Sequence, residues 1–239
     1  LLRWEFAGQQ PGTLEKFLPD GMSGERVVQL LRLPDGEAAS GASVGLLSSD
    51  GRFKRLPIED FQELSGRAAS VLKLKDGVTL QRVVLCREGE DLVVASSTGR
   101  LLRLAVNEAN LPVMGRNAQG PVLLRLLPGE TVVGAAAATA ESGVLLATRQ
   151  GQLKRLAVAS LRRCQRGDLG QIGVRFSQRG DQLIDLREDQ SPVVAAVLTD
   201  GRSLRLDTAE LQAEDDTGSG QPLGLGSHEV VAELVPLLS

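Results

Sequence analysis

The chain is predicted to be an all-β protein, a propeller-like disc of about five four-stranded blades. The first observation is a phrase that occurs four times, in which an Arg-Leu pair follows four residues after Gly51, Gly99, Gly151 and Gly201. The second is the spacing of these glycines, which is 48, 52 and 50 residues. A period near 50 is typical of a propeller or another radial array, because one unit cannot bury its own apolar face alone.

Each copy of the phrase is predicted to form a β-hairpin. The arriving strands are the short apolar runs at 43–47, 91–95, 143–147 and 192–198. Asp-Gly, Thr-Gly, Gln-Gly and Asp-Gly form the turns, and glycine accepts the positive φ of such a turn at no steric cost. The departing run alternates basic and apolar residues, which predicts a strand with one face in water.

A loop rich in glycine and arginine follows each hairpin and is predicted to lead into a further alternating strand. Three copies of this loop begin at Gly66, Gly115 and Arg166. The alternating run ends in a turn such as Lys75-Asp76-Gly77 or Pro128-Gly129-Glu130. One unit therefore holds about four strands.

The whole chain, 1–239, is predicted to be one domain. Its approximate units are 1–42, 43–90, 91–142, 143–191 and 192–239. Because residues 1–6 align with residues 101–106, the chain starts within a unit, and we expect residues 1–6 to pair in a blade that closes the disc. Residues 229–235 are expected to form the last strand of the fifth unit.

Composition excludes several classes of protein. At 239 residues and 42% apolar, the chain can bury a core. It has no apolar run of about 18 residues, which argues against a membrane span, and it opens on no signal segment. Cys86 and Cys164 fall in different units, which favours reduced thiols in a cytoplasm over a disulfide.

The residues that catalysis would need are missing from the sequence. His228 is the only histidine, in a polar stretch that predicts a solvated loop residue, and tyrosine does not occur. No Cys/His cluster has metal-ligand spacing, and no P-loop motif occurs. We therefore expect no catalytic residue, no metal and no cofactor in this chain.

The charge of the chain is unevenly distributed. The formal net charge of −3 and the pI near 5.4 do not indicate a nucleic-acid binder. However, lysines and arginines recur on the departing strands and on the Gly/Arg loops, whereas acids cluster at 88–91, 187–189 and 214–216. A basic position repeated around a radial array gives a basic rim, and the local field decides whether a polyanion binds.

The loop at 112–126 resembles the Met-Gly-Arg-x-Ala-x-Gly-Val stretch of the C-terminal domain of bacterial type IIA topoisomerase A subunits, those of DNA gyrase and topoisomerase IV. The hairpin at 148–156 resembles that family's blade hairpin. The resemblance covers essentially the whole chain and implies a β-pinwheel, a disc of four-stranded blades that exchange strands with their neighbours.

The same resemblance implies a function. Domains of this family bind double-stranded DNA and bend it around a basic outer rim, and they perform no chemistry themselves. The implied partners are DNA, the ATPase B subunit of the enzyme, and the remainder of the topoisomerase A subunit. The isolated domain is expected to be monomeric and cytoplasmic.

The sequence departs from the gyrase pattern at one motif. Gyrase carries a Gln-Arg-Arg-Gly-Gly-Lys-Gly box in its first blade, tied to wrapping DNA with a positive crossing. The stretch nearest to it here, 164–170, matches only at Arg166, Gly167 and Gly170 and lies late in the chain, and residues 19–26 carry no box. A topoisomerase IV-like or divergent gyrase-like subunit fits better.

The basic residues allow more than one interpretation. The aligned arginines Arg55, Arg103, Arg155 and Arg205 either contact phosphate or form ion pairs between blades. The residues predicted to bind DNA are Arg52, Lys54, Arg67, Lys73, Arg100, Arg116, Arg125, Lys154, Arg162, Arg163, Arg166, Arg175 and Arg202. The expected mode is charge contact with duplex phosphates plus bending, largely blind to sequence.

A second function stays open at this point. The acidic balance and the missing box favour a propeller-like platform for protein interactions with weak or no DNA binding, whereas the loop arginines and the blade pattern favour the DNA-binding domain.

Overall fold

The computed structural model of this chain describes residues 28–62 and 69–236. Within these ranges the protein is built from β-strands, which confirms the predicted all-β class. The predicted unit 1–42 lies mostly outside the described residues. The expected pairing of residues 1–6 and the predicted DNA contact Arg67 lie outside them as well.

The strands follow one another in a regular order. They are β1 Ala42–Ser48, β2 Phe53–Pro57, β3 Leu80–Arg87, β4 Asp91–Ser96, β5 Arg100–Ala105, β6 Val132–Ala138, β7 Gly143–Thr148, β8 Gln152–Ala157, β9 Gln171–Ile172, β10 Leu183–Glu188, β11 Val193–Leu198, β12 Ser203–Asp207, β13 Ala213–Glu214, β14 Gln221–Pro222 and β15 Val231–Pro236. One α-helix, α1 Glu59–Gln62, and the 3₁₀ turns Gly36–Ala39, Val158–Ser160 and Thr208–Glu210 complete the described part. No helix there is long and apolar enough to cross a membrane.

The described residues form four blades, each made of a hairpin and a returning strand. The first blade is β1, β2 and β3; the second is β4, β5 and β6; the third is β7, β8 and β10; and the fourth is β11, β12 and β15. The first strand of each blade pairs antiparallel with the other two. The four repeated glycines form the hairpin turns with φ between +77° and +87°, so the predicted hairpins are confirmed.

The returning strand lies further along the chain than the sequence predicts. Of the alternating runs after the Gly/Arg loops, residues 71–74 form no strand, and the runs at 121–126 and 171–176 form only an isolated bridge and a strand of two residues. The regular strands β3, β6 and β10 follow these runs. Glycine and proline at Gly120, Pro121, Gly170 and Gly173 oppose a regular strand in these runs. The predicted last strand at 229–235 is confirmed as β15.

The core lies between neighbouring blades rather than inside one sheet. The returning strands pack in succession, β3 against β6, β6 against β10 and β10 against β15. In β4, Leu92 and Val94 belong to the cluster shared with the first blade, whereas Val93 and Ala95 belong to the cluster shared with the third. A strand covered on both faces reads as a continuous apolar run, which explains the arriving strands.

Neighbouring blades also exchange a segment. We define the second-blade loop as residues 106–131, the third-blade loop as 158–182 and the fourth-blade loop as 208–230. Each covers the outer strand of the preceding blade at two points nine residues apart. The paired residues are Arg55 with Val113 and Arg52 with Val122, Arg103 with Arg163 and Arg100 with Ile172, and Arg155 with Ala213 and Gln152 with Pro222.

This coverage corrects one expectation from the sequence. The alternating pattern predicts one face in water for the departing strands, yet β2, β5 and β8 are almost entirely buried because a loop from the next blade lies over each. β12 alone among them is largely exposed. Within residues 28–62 and 69–236, no segment pairs with its outer edge.

One glycine in each loop allows this close approach. Gly120, Gly170 and Gly220 have φ between +74° and +81°. A Cβ atom on any of them would lie within 3 Å of a carbonyl oxygen of the covered strand. These positions therefore need glycine for both its φ and its lack of a side chain.

Gly170→Ala and Gly167→Ala separate these two requirements. Both residues have positive φ, of +74° and +80°, but a Cβ atom at Gly167 meets nothing within 4 Å. We expect Gly167→Ala to cost about 1 kcal/mol of unfolding free energy from backbone strain, and Gly170→Ala to cost about 3–5 kcal/mol because the clash is added. Denaturant titration measures both values, and equal losses would refute a role for the close approach.

Candidate nucleic-acid interface

The aligned arginine of the first blade is part of the fold. Arg55 is only 1% exposed. Its guanidinium pairs with Glu88 at 2.8 Å and Glu108 at 3.2 Å, and its Nε donates to the Leu111 carbonyl at 2.5 Å. Glu108 and Leu111 belong to the second-blade loop, so Arg55 fastens that loop to the first blade.

Two of the other aligned arginines also form ion pairs. Arg103 pairs with Asp91 of its own blade at 2.6 Å, and its NH1 donates to the carbonyls of Val158 and Leu161 in the third-blade loop. Arg155 pairs with Asp189 of its own blade at 2.5 Å. All three arginines thus form ion pairs, but only the Arg55–Glu108 pair runs between blades.

Arg205, the fourth aligned arginine, differs from the other three. It lies exposed on β12 and makes no ion pair within the described ranges. No loop among the described residues covers this strand.

Arg100 lies at the centre of a buried polar cluster. Its Nε donates to Glu130 at 2.9 Å, its NH2 donates to the same carboxylate and to the Arg125 carbonyl, and its NH1 donates to the Leu169 carbonyl. Burial alone raises the pKa of Glu130, but hydrogen bonds from Arg100, the Leu127 amide and the Ser96 and Thr98 hydroxyls lower it to about 2. This ion pair joins the second-blade and third-blade loops to β5.

The two strand lysines bind main-chain oxygens. The Lys54 ammonium donates to the carbonyls of Gly115 and Arg116 at 3.0 and 2.7 Å. The Lys154 ammonium donates to those of Gly173 and Gly218 at 2.9 and 2.7 Å. Both side chains are buried, and burial lowers the pKa of each. They hold the loops in place and present no charge to a ligand.

Four further residues of the predicted set have their charge compensated. The Arg52 NH1 donates to the Gly120 carbonyl, and the side chain lies 3.3 Å from Asp50. The other three lie nearer the surface. Their partners are Asp60 for Arg116, Asp91 for Arg163, and Asp200 and Glu229 for Arg202.

The remaining predicted residues are exposed cations without an acidic partner in the described part of the chain. They are Lys73, Arg125, Arg162, Arg166 and Arg175. Arg179 shares these properties but was missed, because it lies outside the repeated phrases. Arg179 could have been found from its position between Gly170 and the returning strand β10, which places it in the same loop as Arg166 and Arg175.

Most of these free arginines lie on one continuous stretch. Arg162, Arg166, Arg175 and Arg179 belong to the third-blade loop. The Gly167 amide donates to the Leu123 carbonyl at 2.8 Å, and the Arg125 amide donates to the Asp168 carbonyl at 3.1 Å. These bonds join the second-blade and third-blade loops. We define the basic arc as Arg125 together with the four free arginines of the third-blade loop.

The histidine and the two cysteines of the chain show no sign of a reactive or metal-binding site in the described part. His228 is exposed. Cys86 and Cys164 are free and buried, and burial raises the pKa of the Cys86 thiol, which disfavours the reactive thiolate. In residues 28–62 and 69–236, no group of three or more His, Cys, Asp or Glu side chains could hold a metal ion.

The sequence matches a known family over more than half of its length. Residues 46–87, 90–139 and 144–188 match the family model described as the DNA gyrase C-terminal domain, a β-propeller. These segments contain most of the first three described blades and the whole basic arc.

Curated relatives agree with this match. The A subunit of DNA topoisomerase 4 from Synechocystis sp. is 36% identical over 150 residues, which cover 59% of this chain and 16% of that protein. The A subunit of DNA gyrase from Pseudomonas aeruginosa is 26% identical over 198 residues, 82% of this chain and 21% of that protein. The chain thus spans about a fifth of the length of these relatives.

Solved structures agree at the level of the fold. The C-terminal domain of DNA topoisomerase IV superposes with a TM-score of 0.77 at 15% identity, covering 98% of this chain and 71% of that one. The DNA gyrase A C-terminal domain superposes with a TM-score of 0.69 at 17% identity, covering 81% and 65%.

Arg103→Ala and Arg205→Ala compare the same repeat position with and without a buried ion pair. We expect Arg103→Ala to lower the free energy of unfolding by about 2–4 kcal/mol, because Asp91 and two loop carbonyls lose a donor. Arg205→Ala should stay within about 0.5 kcal/mol of the unmodified chain. Denaturant titration gives both values, and a large loss for Arg205→Ala alone would contradict the assignment.

Glu130→Gln should change how stability depends on pH. The pKa of Glu130 falls from 4.5 to about 2 on folding, so its ionised form contributes about 3 kcal/mol at pH 7. This contribution is present above pH 4.5 and is lost as the pH falls toward 2. Unfolding free energies should therefore differ between the two proteins at pH 7 and converge near pH 2. A constant difference across this range, with exposed Glu37→Gln as control, would disprove the linkage.

Proposed function

Because the chain belongs to the DNA gyrase C-terminal domain family, we propose that it binds and bends double-stranded DNA as a non-catalytic domain of a type II DNA topoisomerase A subunit. The observation that carries this proposal is the basic arc, whose guanidinium groups are exposed and have no acidic partner within residues 28–62 and 69–236. The family match supports the DNA-binding role, and the arc supplies the surface.

The chemistry of the arc suits the duplex backbone. A guanidinium is always charged and offers a planar fork of donors that fits phosphate oxygens. Neutralising phosphates releases condensed counterions, so binding weakens steeply with salt. Phosphate contacts position a protein without carrying sequence information. We therefore propose binding through an outer rim that tolerates any sequence.

Bending follows from placing the contacts on successive blades. Arg125 lies on the second-blade loop and the other arginines lie on the third-blade loop, and the two loops cover different sheets. A duplex that meets both must follow the turn between blades. Bending a site of 20–30 base pairs costs about 1–6 kcal/mol, and the added phosphate contacts offset this cost.

The buried cations are not carried into the proposed interface. We propose that four of the predicted residues only stabilise the fold, because their side chains bind the second-blade, third-blade or fourth-blade loop. They are Arg52, Lys54, Arg100 and Lys154. The proposed DNA contacts are Arg125, Arg162, Arg166, Arg175 and the added Arg179. Lys73 stays a prediction. We do not propose DNA contacts for Arg116, Arg163 and Arg202, because neighbouring carboxylates compensate their charges.

The proposal also assigns a setting. Strand passage would belong to the remainder of the A subunit, with ATP consumed by the B subunit, and this domain would need no cofactor. We propose a cytoplasmic, nucleoid-associated protein whose isolated domain is monomeric.

One observation favours the alternative of a protein-interaction platform. The fourth-blade loop carries five acidic residues and no lysine or arginine, and the net charge is −3. Such a surface repels DNA and suits a basic protein partner. DNA binding decides between the two functions.

Arg166→Ala/Arg175→Ala tests the DNA function. With a duplex of about 40 base pairs, we expect weaker binding to all sequences alike and a salt slope reduced by about two, since two phosphate contacts are removed. Fluorescence anisotropy at about 50 and 150 mM salt measures both effects.

Arg202→Ala is the matched control, because Arg202 is exposed but paired with Asp200 and Glu229. It should leave the salt slope unchanged. If the folded, unmodified chain shows no measurable binding at about 50 mM salt, the DNA function is excluded and the interaction platform stands.

A further inference from the structure

The surface charge changes sign between the third-blade loop and the fourth-blade loop, although each covers the preceding blade in the same way. The third-blade loop has five arginines against two aspartates, whereas the fourth-blade loop has five acids and no lysine or arginine. Each covers the outer strand of the preceding blade with the same nine-residue spacing. The fold therefore does not require the contrast in charge.

The two loops touch, so the change of sign is abrupt. The Gln171 amide Nε2 donates to Asp216 Oδ2 at 3.0 Å. The buried Lys154 ammonium binds one carbonyl from each loop, Gly173 and Gly218. The basic arc thus meets an acidic surface directly at the Gln171–Asp216 contact.

The acidic side of this boundary is a group of four acidic side chains. We define the acidic loop face as Glu210, Glu214, Asp215 and Asp216. Hydrogen bonds from the Thr217 hydroxyl and amide lower the pKa of Asp215. The Gly220 amide donates to Glu214 Oε2 at 3.1 Å. The Lys154 ammonium attracts Glu214, Asp215 and Asp216, and one buried ammonium cannot neutralise three carboxylates.

We propose that the acidic loop face sets one end of the DNA track, so that bound duplex runs along the basic arc and leaves the disc before the fourth blade. This inference rests on the proposed DNA function. Phosphates near these carboxylates lie within a Debye length, about 8–10 Å in ordinary salt, where like charges repel. The same charges would favour duplex orientations that turn toward the second blade.

The opposite end of the arc is open to continuation. The second-blade loop joins the third through the Gly167–Leu123 and Arg125–Asp168 bonds. It has two arginines and two glutamates, and Glu130 is buried against Arg100. A duplex that leaves the third-blade loop on this side meets Arg125 and no acidic surface like that of the fourth blade.

Glu210→Gln/Asp215→Asn/Asp216→Asn tests the boundary. The amides keep an acceptor oxygen for Thr217 and Gln171, so the loop should keep its conformation. We expect the apparent Kd for a duplex of about 40 base pairs to tighten by about 2- to 10-fold at about 50 mM salt. The nuclease footprint should also lengthen.

Asp35→Asn/Glu37→Gln/Glu141→Gln is the matched control, with the same change in net charge. These side chains are exposed and make no hydrogen bond or ion pair within residues 28–62 and 69–236. We expect less than a 2-fold change in Kd and an unaltered footprint. Circular dichroism and thermal unfolding would establish that both variants are folded.

The outcomes separate this inference from the proposed function. If DNA binds and Arg166→Ala/Arg175→Ala weakens it, but the two acid-neutralised variants behave alike, the DNA function stands and the boundary is wrong. If the unmodified folded chain does not bind DNA at all, both are overturned.

Discussion

The structure depends on main-chain hydrogen bonds between the second-, third- and fourth-blade loops and the outer strand of the blade that precedes each loop. The Phe53 amide donates to the Pro121 carbonyl at 3.1 Å, and the Leu123 amide donates to the Gly51 carbonyl at 2.8 Å. Without this cover, β2, β5 and β8 would be open edges with unpaired backbone groups. The core between blades, the burial of the outer strands and the position of every loop follow from it.

The contact between each loop and the strand it covers also explains why so many cations are buried. A loop that crosses a strand irregularly leaves carbonyl oxygens that no strand amide can reach. Lys54, Lys154 and Arg103 supply donors to these oxygens, and guanidinium groups add carboxylate partners that offset the cost of desolvation. The cations left for a ligand are those on the outer surface of the loops, which is why the basic arc lies there.

The hairpins could be predicted because their signal is local. A turn such as Asp50-Gly51, between an apolar and an alternating run, specifies its own geometry over about ten residues. The fate of Lys54 and Arg100 could not be predicted, because each meets carbonyls about 60 residues further along the chain. Their alternation with apolar residues indicated a face in water, whereas the next blade covers that face. Arg125, Arg166 and Arg175 are exposed on loops, as their place in the Gly/Arg loops indicates, and their contact with DNA stays a prediction.

The exchanged loops also impose an order on the synthesis of the chain. β2 ends at Pro57, but its cover is complete only at Val122. At about 5–20 residues per second, a ribosome needs about 3–13 seconds to cross that interval. Until the second-blade loop begins to cover it at Val113, the outer edge of β2 has no partner from its own chain, although its inner edge pairs with β1. A slow codon between the two segments would lengthen the period in which neighbouring nascent chains on one messenger can pair with it.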